Sequence, residues 1–426
     1  MNFPKMIPVR QVFDAPMLDD VPAAVRAETQ KGIELTGIEP GANVAIGAGS
    51  RGINAYDSIC RETVATLLAH GAEPFIFPAM GSHGGATSEG QRTVLAHLGI
   101  TEETMGCPIQ SEIEPIQVDM TSDGVPVFVD RNALAADHVV LVNRIKTHTD
   151  FRGVIESGIL KMGSIGLGKR LGASACHKSA LHHGFEHTIQ TVAAAVRRHC
   201  RIDFGIAILE NAYEQTAHIE AIVSNNLEER ERALLEKVKG LQAKLPFEEL
   251  DLLIIDNMGK NISGTGMDSN IIGRRMHTGE PEFTTPSVTR IMVCNLTEAS
   301  EGNAVGIGFA DFTTKRLVDR LIPETTWLNC ITGLGPQKGR IPVHFDTDER
   351  VLEAAFDTIG MIEPDDARVV RINSTLHLDE VLISESMQAA IDGQENLVPL
   401  GEPFEIPFDD SGQMLSFEET IKAGKH

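Results

Sequence analysis

Hydrophobic residues follow two periods over residues 1–226, one typical of buried strands and one typical of amphipathic helices. In Tyr56–His70 the apolar residues recur at spacings of three and four, which predicts a helix with one buried face. Similar patterns predict helices over residues 89–98 and 184–199. Continuous apolar runs predict buried strands at residues 42–46, 73–77, 138–142 and 204–209. Strands that alternate with helices in this way indicate a parallel sheet.

The pattern changes after residue 226. A charged helical stretch with few turn signals follows and ends at Pro246, so we expect a connecting helix over residues 227–246. A second domain is predicted over residues 247–396. Its apolar runs predict strands at residues 250–255, 291–295 and 369–372. The tail, residues 397–426, has no strong pattern and is expected to pack back on the first domain.

These elements predict an α/β fold with two α/β domains, mainly parallel sheets and a helical connection between them. Residues 1–226 are expected to form the N-terminal domain that binds a cofactor and carries catalysis. Ligands of open α/β sheets bind beyond the carboxyl ends of the strands. We therefore expect the active site in the cleft between the two domains.

Charge and composition narrow the function classes. The 426 residues include 37 Lys and Arg against 60 Asp and Glu, and the resulting net charge of −23 repels nucleic-acid backbones. No apolar run reaches the ~18 residues of a membrane span, and the N-terminal stretch lacks the apolar core of a signal peptide. The cysteines show no metal-binding spacing. We therefore predict a cytoplasmic protein that binds neither nucleic acid nor a membrane.

A glycine-rich turn follows the first predicted strand of this sheet. Residues 47–52 (GAGSRG) match G-x-G-x-x-G, in which glycines let the backbone approach a phosphate beside a helix N-terminus. Arg51 adds a bidentate donor for an anion. An NAD site also needs an acidic residue after the next strand, and residues 77–81 contain none. A phosphate or mononucleotide site is therefore favoured over NAD, and a tight turn without a ligand is the alternative.

A second glycine-rich stretch covers residues 163–170 (GSIGLGKR). It contains the G-x4-G-K part of a P-loop, but Arg170 stands where a Ser or Thr would bind Mg²⁺. We expect no ATP hydrolysis there. Lys169 and Arg170 are expected to face an anion if this loop is flexible.

Two histidines and a lysine supply candidate chemistry. His83 and His148 each follow a predicted strand, so both are expected at one rim of the sheet. Two imidazoles can act in turn as general base and general acid on opposite faces of one carbon, and two structural loop histidines are the alternative. Lys161 ends a short apolar run, where it is either a desolvated nucleophile or an ordinary surface lysine.

Three further histidines are less informative by themselves. His177 follows Cys176, and a single histidine of this kind is a weak indication of a metal site. His183 and His187 are four residues apart, a spacing that can bind zinc. Since the sequence offers this pair no clear third ligand, we predict an ordinary helix surface for it.

Together these motifs resemble the nickel-pincer lactate racemase family of 2-hydroxyacid racemases and epimerases. The resemblance covers essentially the whole chain and is strongest over residues 40–180. It implies that His83 and His148 are the two acid/base groups. It further implies a phosphate-binding turn formed by Gly49, Ser50, Arg51 and Gly52.

The resemblance also assigns the cofactor contacts. The family's Ser-Gly-x-x-Lys motif corresponds to residues 157–161, which implies that Lys161 is the covalent anchor. The family's nickel-binding histidine follows that lysine by sixteen residues, and His177 stands at this position. The implied cofactor is the nickel-pincer nucleotide, pyridinium-3,5-bisthiocarboxylic acid mononucleotide nickel, with Ni held by sulfur, carbon and imidazole.

The predicted second domain departs from the family pattern. Asp268 and Asn270 fit the family's substrate-binding stretch, but its Gln and Lys are absent. Lys260, Arg274 or Arg275 would then bind a substrate carboxylate in their place. This departure implies a larger or more polar 2-hydroxyacid than lactate, or a sugar acid.

The resemblance implies a nickel-dependent isomerase that acts by reversible C2 hydride transfer while the two histidines exchange protons with the substrate hydroxyl. Proteins that synthesise the pincer cofactor would be transient partners, and a homo-oligomer remains open. The alternative function is a non-racemising binder or carrier of the pincer cofactor or of another phosphorylated ligand. An ordinary NAD-dependent oxidoreductase is a weaker third reading.

Overall fold

The computed structural model describes residues 2–425, and the chain divides into two compact units. Ala15–Gln242 forms the first unit. The second unit combines residues 2–14 with residues 243–425. Among the described residues, no helix combines the length and the apolar character that crossing a membrane requires.

Fifteen strands occur in the described part of the chain. They are β1 (Met6–Gln11), β2 (Asn43–Ala48), β3 (Glu73–Pro78), β4 (Ile116–Met120), β5 (Pro126–Val129), β6 (His138–Arg144), β7 (Ile202–Glu210), β8 (Thr216–Val223), β9 (Glu249–Met258), β10 (Ser287–Leu296), β11 (Phe312–Thr314), β12 (Val343–Phe345), β13 (Val369–Ile372), β14 (Glu380–Ser384) and β15 (Leu397–Pro399).

The same residues contain fifteen α-helical segments. They are α1 (Val21–Thr36), α2 (Tyr56–His70), α3 (Ser88–His97), α4 (Glu102–Met105), α5 (Arg131–Ala135), α6 (Ile159–Lys161), α7 (Lys169–His183), α8 (Phe185–His199), α9 (Leu227–Leu241), α10 (Ser269–Ile272), α11 (Lys315–Arg320), α12 (Pro323–Thr332), α13 (Asp348–Phe356), α14 (Gln388–Asp392) and α15 (Phe417–Gly424).

The main sheet of the first unit has the strand order β3-β2-β6-β7-β8. The first four of these strands run parallel, and β8 pairs antiparallel with β7. Successive residues of a strand enter two different cores: Val44 and Ile46 pack in one, and Ala45 packs in the other. Because both faces are covered, the strands are almost wholly apolar, as the sequence predicts.

Parallel pairing also determines where the loops emerge. Since β3, β2 and β6 are neighbours and run in one direction, their carboxyl ends lie at one edge of the sheet. The segments that leave this edge carry the glycine-rich turn, His83 and His148. The fold therefore gathers the predicted first-unit motifs at the same edge.

The sheet of the second unit has the order β12-β11-β10-β9-β13-β14-β1-β15. Strands β12, β11, β10, β9 and β13 are parallel, whereas β14, β1 and β15 are joined by antiparallel pairing. Apolar clusters cover both of its faces. The predicted α/β class with mainly parallel sheets is confirmed for both units.

The unit boundaries differ from those predicted at both ends of the chain. Strand β1 belongs to the second unit, because it pairs with β14 and β15 and buries Met6, Ile7 and Val9 there. The tail, residues 397–426, was expected on the first domain. Its described part instead supplies β15 and α15, and α15 buries Phe417 and Ile421 in the second unit.

The expected connecting helix is also different. Helix α9 belongs to the first unit, where Leu227, Leu234, Leu235 and Val238 join the main core. The predicted connecting helix over residues 227–246 is therefore wrong, because this charged stretch carries a stripe of buried apolar residues. The same stripe includes Glu231, which is fully buried.

Candidate active site

The glycine-rich turn starts where β2 ends. The Gly49 N–H donates to Tyr56 Oη at 2.7 Å, and this hydroxyl donates to the Val142 carbonyl at 3.0 Å. Helix α2 begins at Tyr56, as predicted, and three residues separate Gly52 from its start. Ser50 is half-buried, and it leads to the exposed end of the turn.

The turn lies beside the segment that carries Lys161. A Cβ atom added to Gly49 would lie 3.3 Å from Cε of Met162, the residue after Lys161. Gly49 is itself buried, and a side chain there would force Met162 to shift by a few tenths of an ångström. The predicted phosphate turn and the predicted anchor are therefore neighbours in the fold.

Several cations surround this place in an otherwise acidic protein. Solvent reaches Arg51, yet protein atoms crowd its guanidinium group, and this desolvation together with the charge of Arg144 lowers the pKa of Arg51. The charges of Arg51 and Lys146 also act on Lys161. Arg144 forms an ion pair with Glu210. Arg51 and Lys146 offer positive charge to an anionic group such as a phosphate, and Asp150 and Glu156 offset part of it.

Lys161 is half-buried and has a perturbed amine. Desolvation is the largest cause that lowers the pKa of Lys161 to about 8, and Arg51 and Lys146 lower it further. The charges of Asp150 and Glu156 act in the opposite direction. A lysine with this pKa has a much larger unprotonated fraction near neutral pH than an ordinary lysine, and the unprotonated amine is the nucleophilic form. The local sequence alone did not distinguish a desolvated nucleophile from an ordinary surface lysine at this position.

The helix around Lys161 has an unusual geometry. Helix α6 ends at Lys161 and passes directly into a π-helical turn, Met162–Gly166, before α7 starts at Lys169. π-helical turns are rare and occur often at functional sites. Every residue of this turn is buried.

Glu231 holds the start of this helix, and the sequence analysis missed it. Its carboxylate accepts the Leu160 N–H at 3.0 Å, and the close approach of Gly158 leaves no room for a side chain there. Burial raises the pKa of Glu231 to about 7, while the backbone hydrogen bonds from Leu160 and Ile159 lower it. The sequence feature that could have identified Glu231 is its position on the apolar stripe of α9.

His83 lies on an exposed turn after β3, and its backbone is firmly held. The Gly81 N–H donates to the Gly166 carbonyl of the π-helical turn at 3.1 Å. The Gln91 amide donates to the carbonyls of Gly81 and His83 at 3.0 and 3.2 Å. The His83 loop is therefore tied to the segment that follows Lys161.

Lys169 reinforces this loop from inside. Its amine donates to the Pro78 carbonyl at 2.6 Å and to Gln91 Oε1 at 3.2 Å, and it pairs with Asp130 at 2.8 Å. Lys169 was expected to face an anionic ligand. This expectation is wrong, because the side chain is buried and pairs with the carboxylate of Asp130 inside the protein. Arg170 is exposed.

His148 and His177 are brought together around one phenylalanine. The Phe185 ring lies 6.1 Å from the His148 ring and 5.5 Å from the His177 ring, which meets it edge-on. Phe151 stacks on Phe185 at 4.9 Å and contacts His148 at 4.5 Å. The sequence analysis did not identify Phe185, although this residue begins helix α8.

The ring of His148 has a defined tautomer. The Asp150 N–H donates to its Nδ1 at 2.9 Å, so a neutral ring carries its proton on Nε2. The His148 backbone N–H donates to Glu156 Oε2 at 2.6 Å, and burial raises the pKa of Glu156. His148 is therefore presented as a proton donor from Nε2.

The predicted substrate residues all lie in the second unit, and each has structural contacts. The Lys260 amine donates to the Gly264 carbonyl at 2.7 Å. Asp268 caps α10 by accepting the backbone N–H and the side-chain amide of Asn270, at 2.9 and 2.8 Å. Their predicted role in substrate binding stays a prediction.

The two arginines of this group stabilise local structure. Arg274 pairs with Asp311 at 2.7 Å and donates to the Phe309 carbonyl. Arg275 is buried, stacks over the Phe283 ring at 4.2 Å and donates to the Pro281 carbonyl. A carboxylate contact by either arginine stays a prediction.

Sequence comparison finds no match to a known family pattern and none to a curated protein. The structure is similar to that of the lactate racemase apoprotein from Thermoanaerobacterium thermosaccharolyticum, with a TM-score of 0.51 and 14% identity. The match covers 83% of this chain and 87% of that chain. At this identity the similarity shows a shared fold, and any related activity has to be argued from the site.

The amine of Lys161 should react with acetic anhydride at lower pH than an ordinary lysine. With a pKa of about 8 it should be half-reactive near that pH, whereas an unperturbed lysine requires about pH 10.4. Competitive labelling followed by peptide mass mapping measures this, with exposed Lys178 of α7 as the internal reference. Equal labelling of Lys161 and Lys178 at every pH would contradict the desolvated amine.

Replacing Glu231 with Gln should remove a pH dependence of stability. The folded pKa of about 7 lies above the ordinary value of 4.5, so the folded state retains the proton longer. Wild-type stability should therefore fall between about pH 5 and about pH 8, and E231Q should lack this part of the fall. Urea unfolding at both pH values measures it, with E236Q on the exposed side of α9 as control. If the stability of wild type and E231Q fell equally with pH, Glu231 would not be the cause of the pH dependence.

Proposed function

We propose that this protein is a racemase or epimerase of a 2-hydroxyacid that carries a nickel-pincer nucleotide on Lys161. This proposal rests on the desolvated amine of Lys161, which has a pKa of about 8 and lies beside the Gly49 turn, near Arg51 and Lys146. A nucleophilic amine next to an anion-attracting turn is what covalent attachment of a phosphorylated group requires. The racemase-like fold makes a related function plausible.

The residues of the first unit fit such a cofactor chemically. Lys161 would form the covalent bond, and Arg51 would bind the phosphate with a bidentate hydrogen bond. His177 would provide an imidazole nitrogen to nickel, a ligand type that this ion accepts. When bound, the group would supply a carbon that reversibly accepts the C2 hydride of the substrate.

The protein's own part in the reaction would be proton transfer and positioning. Nε2 of His148, which carries the proton of the neutral ring, would donate to the substrate oxygen; accepting the hydroxyl proton at Nε2 would require the other tautomer. His83 would serve the opposite face from its exposed turn, since both configurations at C2 need a base. Phe151 and Phe185 support His148 on one side, and Phe185 also contacts the His177 ring.

The substrate is proposed to be a 2-hydroxyacid or sugar acid larger or more polar than lactate. The cationic surroundings of Lys161 favour an anionic substrate as well as an anionic cofactor. Lys260, Arg274 or Arg275 would bind its carboxylate.

Co-expression with pincer-synthesis proteins should give a covalent mass adduct of mononucleotide size on wild-type protein and none on K161A. Intact-protein mass spectrometry with metal analysis measures both adduct and nickel. H177A should retain the adduct but lose nickel, and H182A is the control on the same helix. Nickel is measured in H177A and in H182A with H183A added to each, so that ions bound by the exposed His183–His187 pair are not counted. An unmodified wild-type mass, with a control racemase fully loaded, would refute the proposal.

Loaded H83A and loaded H148A should each lose about 100-fold or more in turnover, because each lacks one proton-transfer group. The measurement is the loss of optical purity in a panel of 2-hydroxyacids and sugar acids, with H182A as control. Near-wild-type turnover would remove that histidine from the mechanism. A loaded wild type that racemises nothing in the panel would favour the binder or carrier function instead.

A further inference from the structure

Three side chains from separate elements meet on the surface of the first unit. One ligand atom each from Asp123, His183 and His187 lies within 4.8 Å of the other two. We infer that this cluster is a second metal site, which binds one Zn²⁺ or a similar divalent transition-metal ion. The inference is independent of the pincer cofactor and of Lys161.

The backbone brings the two histidines together at a helix break. Helix α7 ends at His183, and Gly184 has φ 78° and ψ 158°, a conformation that only glycine adopts readily. Helix α8 starts at the next residue, which places His187 in its first turn. The two imidazole rings lie 5.9 Å apart between centroids.

The third ligand comes from a distant part of the sequence. Asp123 lies in the turn between β4 and β5, where the Gly124 N–H donates to the Thr121 carbonyl at 2.9 Å. Nε2 of His187 lies 2.8 Å from Asp123 Oδ2. This contact supplies the ligand that the sequence could not identify, because sixty residues separate Asp123 from His183.

The donor set selects the class of ion. Two imidazoles and a carboxylate suit zinc and its neighbours, whereas Mg²⁺ and Ca²⁺ prefer all-oxygen sites. Around zinc, donor atoms about 2.1 Å from the ion are roughly 3.4 Å apart, so the three groups need only small side-chain rotations. All three residues are exposed, which permits those rotations and leaves a coordination position for water.

The site has a structural consequence for the first unit. Asp119 of β4 already pairs with Arg198 and His199 at the far end of α8, at 2.7 and 3.0 Å. An ion at the cluster would tie the same hairpin to the other end of α8. The position is six residues beyond His177 on α7, so an occupied site would also restrain the end of that helix.

The test is zinc binding by the full chain without pincer cofactor, measured by competition with a chromogenic chelator. H177A serves as the background, so that the proposed nickel ligand contributes nothing. One Zn²⁺ per chain is expected, and adding H183A, H187A or D123N should weaken binding about tenfold or more. Adding H182A, which removes an exposed neighbouring histidine outside the cluster, should leave binding unchanged.

Thermal unfolding gives a second readout. Zinc should raise the melting temperature of the H177A protein and of its H182A variant, but not that of its H183A variant. H183A is the decisive substitution, because it leaves the Asp123–His187 ion pair in place and removes only a metal ligand. Unchanged zinc affinity in H183A, or no stoichiometric binding in the H177A background, would overturn the inference.

Discussion

Parallel pairing of β3, β2 and β6 is the constraint on which the candidate site depends. Helices and loops cover both faces of this sheet, so its side chains are committed to two cores and cannot take part in chemistry. Polar and glycine-rich residues are confined to the places where strands end, and parallel strands end together. The glycine-rich turn, His83 and His148 share one edge for that reason.

Two lysines close in sequence show how burial decides the role of a charge. Lys169 lies 2.8 Å from Asp130 and supports the backbone of the His83 loop, so its charge serves the structure. For Lys161 desolvation outweighs the nearby carboxylates, and the amine loses its proton easily. Local sequence left the role of each lysine open, and their three-dimensional surroundings separate them.

Local elements were predictable from the sequence, whereas membership of a unit was not. Helix α2 matches the predicted bounds residue for residue, and each predicted strand overlaps an observed one, with ends that differ by at most four residues. Periodicity carries this information because it reports one buried face. The pairing of β1 with β14 joins segments that are hundreds of residues apart. The docking of α9 depends on a few leucines within a charged stretch.

The same distinction applies to the site. The resemblance to the racemase family's motifs pointed to Lys161, His148 and His177. Nothing in the sequence indicated that Phe185 would contact both histidines or that Glu231 would cap the helix of the lysine. These contacts join segments that are distant in sequence. Spacing can propose which residues act, and tertiary structure decides what holds them.

The lowered pKa of Lys161 also carries a liability. At physiological pH a much larger fraction of this amine is unprotonated than of an ordinary lysine, so it will react more readily with small electrophiles such as acyl donors and aldehydes. Acylation would block the position. If Lys161 carries the proposed cofactor, adventitious acylation of newly folded chains would compete with cofactor attachment.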